Sequence, residues 1–187
     1  MPEKDGNLTP EQEAKKELWL KELSEFIVEA NKNTYAAHKG KVPPEKVERK
    51  GYKELEYEKG DWRLRDGYAG NFRAPGSTTV YYKEKPAWFM SYTGVGMEPG
   101  KYRQTQATFE FLGKALMQIT PDLPYRGPKE FKEGNRRYEM SVQGTVEVFK
   151  GDEAIYEDGE LTFGQHFSGN VFIHKTPEGE PLYPWEL

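Results

Sequence analysis

The sequence predicts an α+β fold: a curved antiparallel sheet of about six to seven strands with two main helices packed on one face. Three observations predict it. Two segments carry apolar residues at a 3.6-residue spacing, whereas the other apolar residues alternate at period two. The alternating runs are joined by short turns, too brief for the crossovers that parallel strands require. The chain of 187 residues has 14% aromatic residues, enough large rings to build a core although only 35% of residues are hydrophobic and 31% are charged.

The first helix opens at Thr9-Pro10-Glu11-Gln12, a capping box with proline at its first position. Trp19, Leu23, Phe26, Ile27 and Ala30 then mark one apolar face, and Asn31-Lys32-Asn33 is read as its end. A basic, Pro43-Pro44-containing loop follows from Lys39 to Gly51. Leu55 to Phe72 reads as a strand with Trp62, Leu64, Asp66 and Tyr68 on one parity. Thr78–Tyr82 and Ala87–Thr93 read as a hairpin closed by Lys83-Glu84-Lys85-Pro86. Thr105 to Ile119 returns to helical spacing, with Phe109, Leu112, Leu116 and Ile119 as its stripe. Arg136 to Lys150 alternates cleanly and is read as one strand. Ala154–Tyr156, Leu161–Phe167 and Val171–His174 follow, separated by Gly151-Asp152, Asp158-Gly159 and Gly169-Asn170. Residues 1–8 read as a disordered tail, 9–175 as a single domain, and 176–187 as a C-terminal extension.

Composition narrows the function classes. The chain has no cysteine, which excludes disulfides, thiolate catalysis and Cys-ligated metals. A net charge of -4 argues against direct nucleic-acid binding. No apolar run is long enough for a membrane span and the opening residues lack the pattern of a signal peptide, so a cytoplasmic location is expected, with no membrane partner. Histidine spacing fits no metal motif, and neither a metal nor a cofactor is expected. Gly94-Val95-Gly96-Met97-Glu98-Pro99-Gly100 departs from a dinucleotide fingerprint in spacing and reads as a loop.

Candidate site residues come from chemistry at odds with position. Asp66 shares the parity of core residues, where an ionised carboxylate needs a partner: Arg126, a tyrosine hydroxyl or a ligand. Pro124-Tyr125-Arg126-Gly127-Pro128 braces one guanidinium, suited to an anion or to pairing with Asp66 or Glu153. Trp62, Tyr68, Tyr82, Trp88 and Tyr92 are candidate walls of an aromatic cleft, or simply core. His166, opposite in parity to Phe163 and Phe167, faces solvent or the mouth of the sheet. The expected site is therefore Trp62, Asp66, Tyr68, Trp88, Tyr92, Arg126, Glu153 and His166, binding a small anionic or aromatic molecule in a sensor-like role. Two alternatives stay open: an enzyme using Asp66, Glu153 or His166 for acid–base chemistry, and a homodimerising interaction module.

One further sign lies in short motifs: Asn33-Thr34-Tyr35-Ala36, Leu55-Glu56-Tyr57, Gly60-Asp61-Trp62-Arg63-Leu64-Arg65-Asp66-Gly67-Tyr68-Ala69-Gly70, Trp88-Phe89-Met90-Ser91-Tyr92, Pro124-Tyr125-Arg126-Gly127-Pro128 and Phe149-Lys150-Gly151-Asp152-Glu153-Ala154-Ile155. From Leu20 to Phe172 they resemble a prokaryotic family of unknown function, often carried behind Xre/Cro-like helix-turn-helix modules in bacterial regulators. The resemblance implies a cytoplasmic, stand-alone α+β domain and no particular activity. Only one expected helix precedes the strands here, too few for a helix-turn-helix.

Overall fold

A computed structural model describes residues 8–37 and 39–187. The tail expected at residues 1–8 lies outside the described residues except for Leu8, and His38 lies outside them too.

Helix α1 spans Pro10–Asn33. Its capping box is formed: the Gln12 amide donates to Thr9 Oγ1 at 3.2 Å, and the Thr9 amide donates to Gln12 Oε1 at 2.9 Å. The helix runs through Asn31-Lys32-Asn33 and closes at Thr34. Eight strands then form one antiparallel sheet: β1 (Lys53–Lys59), β2 (Trp62–Tyr68), β3 (Gly76–Tyr82), β4 (Lys85–Met97), β5 (Glu130–Glu133), β6 (Arg136–Thr145), β7 (Val148–Glu157) and β8 (Glu160–Val171). Helix α2 (Thr105–Leu116) joins β4 to β5. The strand order is β1-β2-β3-β4-β8-β7-β6-β5.

The expected fold class needs correction. The main sheet has eight strands, not six to seven, and a second, two-stranded sheet pairs β9 (His174–Lys175) with β10 (Pro181–Leu182). The extra strands have identifiable origins. The run from Leu55 to Phe72 is cut by the Gly60-Asp61 turn, which pairs Lys59 with Trp62. The run from Arg136 to Lys150 is cut at Val146-Glu147, where Thr145 pairs with Val148, and β5 adds a short edge. Conversely, Gly169-Asn170 does not break a strand. β8 continues straight through it, and glycine is required there because a Cβ on Gly169 would lie 2.0 Å from the Phe89 carbonyl oxygen.

Strand register puts nearly all large apolar side chains on one face. Trp62, Leu64 and Asp66 on β2 stand beside Tyr82, Val80 and Thr78 on β3. The row continues through Trp88, Met90 and Tyr92 on β4 to Val171, Gly169 and Phe167 on β8. Both helices pack on this inner face. At one end α1 brings Trp19 and Phe26 against Trp62, with ring centroids 5.4 and 5.6 Å away. The C-terminal residues close this end, where Trp185 lies 5.9 Å from Trp19. At the other end α2 sets Phe109 against Phe163 and Phe111 against Phe131.

The outer face carries charge. On β1 the carboxylate of Glu54 is buried under Arg65 Nε at 3.0 Å and the amides of Glu48 and Arg49, both at 3.1 Å. Burial alone would raise its pKa, but these donors outweigh burial and hold it below the ordinary value. This network ties the loop before β1 to the sheet. Among the described residues, no helix is long and apolar enough to cross a membrane.

Candidate functional site

Asp66 leans inward from β2, as its parity with Trp62 and Leu64 requires, and is 7% exposed. Thr78, directly opposite on β3, donates its hydroxyl to Asp66 Oδ1 at 2.7 Å. Tyr92 on β4 donates to the same carboxylate, with its hydroxyl 3.0 and 3.1 Å from the two oxygens. Burial pushes the Asp66 carboxyl above its ordinary value, and these hydroxyls, with the charges of Arg126 and Arg49, restrain the rise.

Arg126 reaches the same region from the loop between α2 and β5. Tyr125 anchors that loop by packing 4.5 Å from Phe149. Gly127 brings its amide 3.1 Å from the Tyr138 hydroxyl, an approach that any Cβ would block, at 2.8 Å from the Tyr138 ring. The guanidinium pairs with Glu153 on β7, with Nε and Nη2 at 2.9 and 2.8 Å from Oε1. Tyr138 donates to Glu153 Oε2 at 2.8 Å, and the Gln165 amide donates to Oε1. Burial alone would lower the Arg126 pKa. The adjacent Glu153 carboxylate outweighs it, so the guanidinium is held above its ordinary value and stays charged. Burial raises the phenols of Tyr35, Tyr92 and Tyr138, which remain neutral.

Asp66 and Arg126 therefore come close without bonding. Tyr92 stands between them, its hydroxyl on Asp66 and its ring 5.1 Å from the guanidinium carbon. Beside this trio opens a cavity of about 330 Å³. Its apolar walls are Tyr35, Tyr68, Tyr92, Phe109, Leu112 and Phe163. Arg126 and Gln165 supply inner polar groups, and exposed Lys53 and Asn71 stand at the mouth, bonded to each other at 3.0 Å. Arg126 Nη1 has no acceptor among the described residues.

The expected site is thus brought together in part. Asp66, Tyr68, Tyr92, Arg126 and Glu153 converge on one region. Trp62 does not join them: it lies at the far end of β2, within 4.5 Å of Tyr82 by ring centroids and against Trp19. Trp88 is fully buried, stacked on Phe149 at 5.4 Å and donating to the Val146 carbonyl at 3.0 Å. His166 faces outward and bonds Asp152, on the opposite side of the sheet from Asp66 and Glu153. These three groups cannot serve one cleft. The residues missed include Tyr35, Lys53, Asn71, Phe109, Leu112, Phe163 and Gln165. Gln165 carried a usable signal, a polar side chain at the inward parity of Phe163 and Phe167.

The family model described as "Domain of unknown function (DUF5680)" matches residues 66–172, more than half of the chain. The chain belongs to this family. No curated protein and no solved structure matches it. The matched stretch begins at Asp66 and includes Tyr92, Arg126 and Glu153, whereas Tyr35 and Lys53 lie before it.

The Asp66 environment has a measurable consequence. Its folded-state pKa lies above the ordinary 3.8, so the folded protein keeps this proton to higher pH than the unfolded chain does. The stability contribution is then largest below the ordinary value and declines as pH rises through the window above it. Glu54 acts in the opposite sense: its contribution is present above the ordinary 4.5 and is lost as pH falls through its depressed folded value. Asp66→Asn should remove only the first component. Urea unfolding across mildly acidic to neutral pH should show the variant gaining on the parent as pH rises. Parallel profiles would show that Asp66 does not titrate in this way.

Proposed function

We propose that this domain binds a small organic molecule with a flat apolar body and an acidic or strongly accepting end, in a sensor-like rather than catalytic role. The observation that carries the reading is a charged guanidinium fixed by Glu153 with its Nη1 edge left without an acceptor among the described residues, beside an aromatic-walled cavity of about 330 Å³. That volume is at the small end of ligand pockets, and a few convergent polar groups among apolar walls are their usual make-up. The pairing with Glu153 supports recognition because it fixes the orientation of the guanidinium before any ligand arrives. The likeness to domains carried behind helix-turn-helix modules supports a sensing role in the cytoplasm.

The test is thermal unfolding with millimolar benzoate, phenylacetate, 4-hydroxybenzoate and indole-3-acetate. A binder at a hundredfold excess over its Kd stabilises the folded state by about 2.7 kcal/mol. Ala74→Trp, which places a large side chain on the cavity lining, should abolish the shift while the unliganded protein still melts cooperatively. No shift with any probe would defeat the proposal.

A further inference from the structure

The charges around the cavity are arranged so that an entering anion disturbs one group above all. Arg126 and Glu153 form a pair whose remaining valences are met by Tyr138 and Gln165. Among the described residues, Asp66 has no cation in contact and is held only by the neutral hydroxyls of Thr78 and Tyr92. Its surroundings bring few other charges. β4 contributes Tyr92, β3 contributes Thr78, β2 contributes Tyr68, and the turn after α1 contributes Tyr35. Arg126 approaches from the loop before β5. Arg49 lies behind the sheet, against Gly67, where it is shared with Glu54. α2 presents Thr105, Phe109 and Leu112, none of them titratable.

A carboxylate bound at Arg126 Nη1 would sit one tyrosine ring away from Asp66. Two carboxylates at that separation, with water displaced from the cavity, disfavour each other's ionised forms. Dianions are poorly suited, because Glu153 already balances Arg126 and the remaining cation, Lys53, stands at the exposed mouth. We propose that the ligand is a flat monocarboxylic acid whose anion enters together with one proton taken up by Asp66, so that the cavity in effect collects the neutral acid. This rests on the small-molecule reading above. The balance is simple: the ligand remains a carboxylate, one proton from solvent adds to an Asp66 oxygen, and no other bond changes. Once protonated, Asp66 becomes a donor. Its O–H turns to Tyr92 Oη or Thr78 Oγ1, each of which can accept as well as donate.

Titration calorimetry of the full chain with benzoate, phenylacetate and 4-hydroxybenzoate tests this, run in PIPES and in imidazole at matched pH. Comparing heats in the two buffers counts protons taken up. The expected result is uptake approaching one proton per ligand where free Asp66 is ionised, with Kd weakening up to about tenfold per pH unit there. Asp66→Asn should bind the same probes with a flat pH profile and no uptake. Binding by the parent with no proton uptake, and with Kd constant between about pH 5 and 8, would overturn the inference and leave the cavity reading intact. Unchanged linkage in Asp66→Asn would also overturn it. No binding of any probe would instead remove the cavity reading itself. Should Asp66→Asn not fold, the two-buffer measurement on the parent decides alone.

Discussion

Glu153→Gln should destabilise the protein by about 3–5 kcal/mol, the cost typical of removing one partner from a buried ion pair. The glutamate has essentially no exposed side-chain surface, and Arg126 beside it is nearly as enclosed. Gln keeps the shape but removes the charge. A guanidinium held by a rigid loop then has no bonded counter-charge, and burial works against it. For a chain of this length the loss lowers Tm by on the order of 10 °C. The double variant Arg126→Met with Glu153→Leu removes both charges and leaves only the Tyr138 and Gln165 donors without their acceptor. It should lose less stability than Glu153→Gln alone, because no unpaired charge remains buried. The measurement is urea unfolding of the parent, Glu153→Gln, the single variants Arg126→Met and Glu153→Leu, and the double. Additive losses would mean that the pair is not energetically coupled and that the loop, not the charge, fixes Arg126.

The inner face is divided by polarity. Its α1 end is an aromatic cluster of Trp19, Trp62, Tyr82 and Trp185, closed by the C-terminal residues. Its α2 end holds Asp66, Tyr92, Arg126, Glu153 and Gln165 around the cavity. This division explains why parity in the sequence located the face but not the site. Alternation along β2 correctly placed Asp66 with Trp62, Leu64 and Tyr68, since side chains two apart point the same way. It says nothing about distance along the strand. Trp62 and Tyr68, at opposite ends of β2, therefore looked equivalent. The prolines around Arg126 were legible, and so was its pairing with either Asp66 or Glu153. The choice of Glu153 depends on β7 lying two strands beyond β4, a pairing no local pattern encodes. The turn at Val146-Glu147 was hidden because Val-Glu-Val continues the alternation without a break. Tyr35 follows α1 in a turn and has no periodicity to mark it.

Trp88→Ala should be the other large loss, about 3–5 kcal/mol, the range for removing a buried large aromatic side chain. Trp88 is fully buried on β4, the central strand linking the two halves of the sheet, and its ring stacks on Phe149 of β7. Its indole N–H also donates to the carbonyl of Val146, in the turn joining β6 to β7. The residue thus contributes in two separable ways: filling the centre of the core, and securing the Val146-Glu147 turn that follows Gly144. Trp88→Phe keeps an aromatic ring but no donor. It should recover part of the loss, leaving a deficit of about 1–3 kcal/mol for the smaller ring and the unpaired carbonyl. Amide exchange discriminates further. In Trp88→Phe the fastest gain in exchange should fall at residues 145–148, with β2 and β3 little changed. If exchange rises uniformly instead, Trp88 acts through packing alone and the turn does not depend on its hydrogen bond.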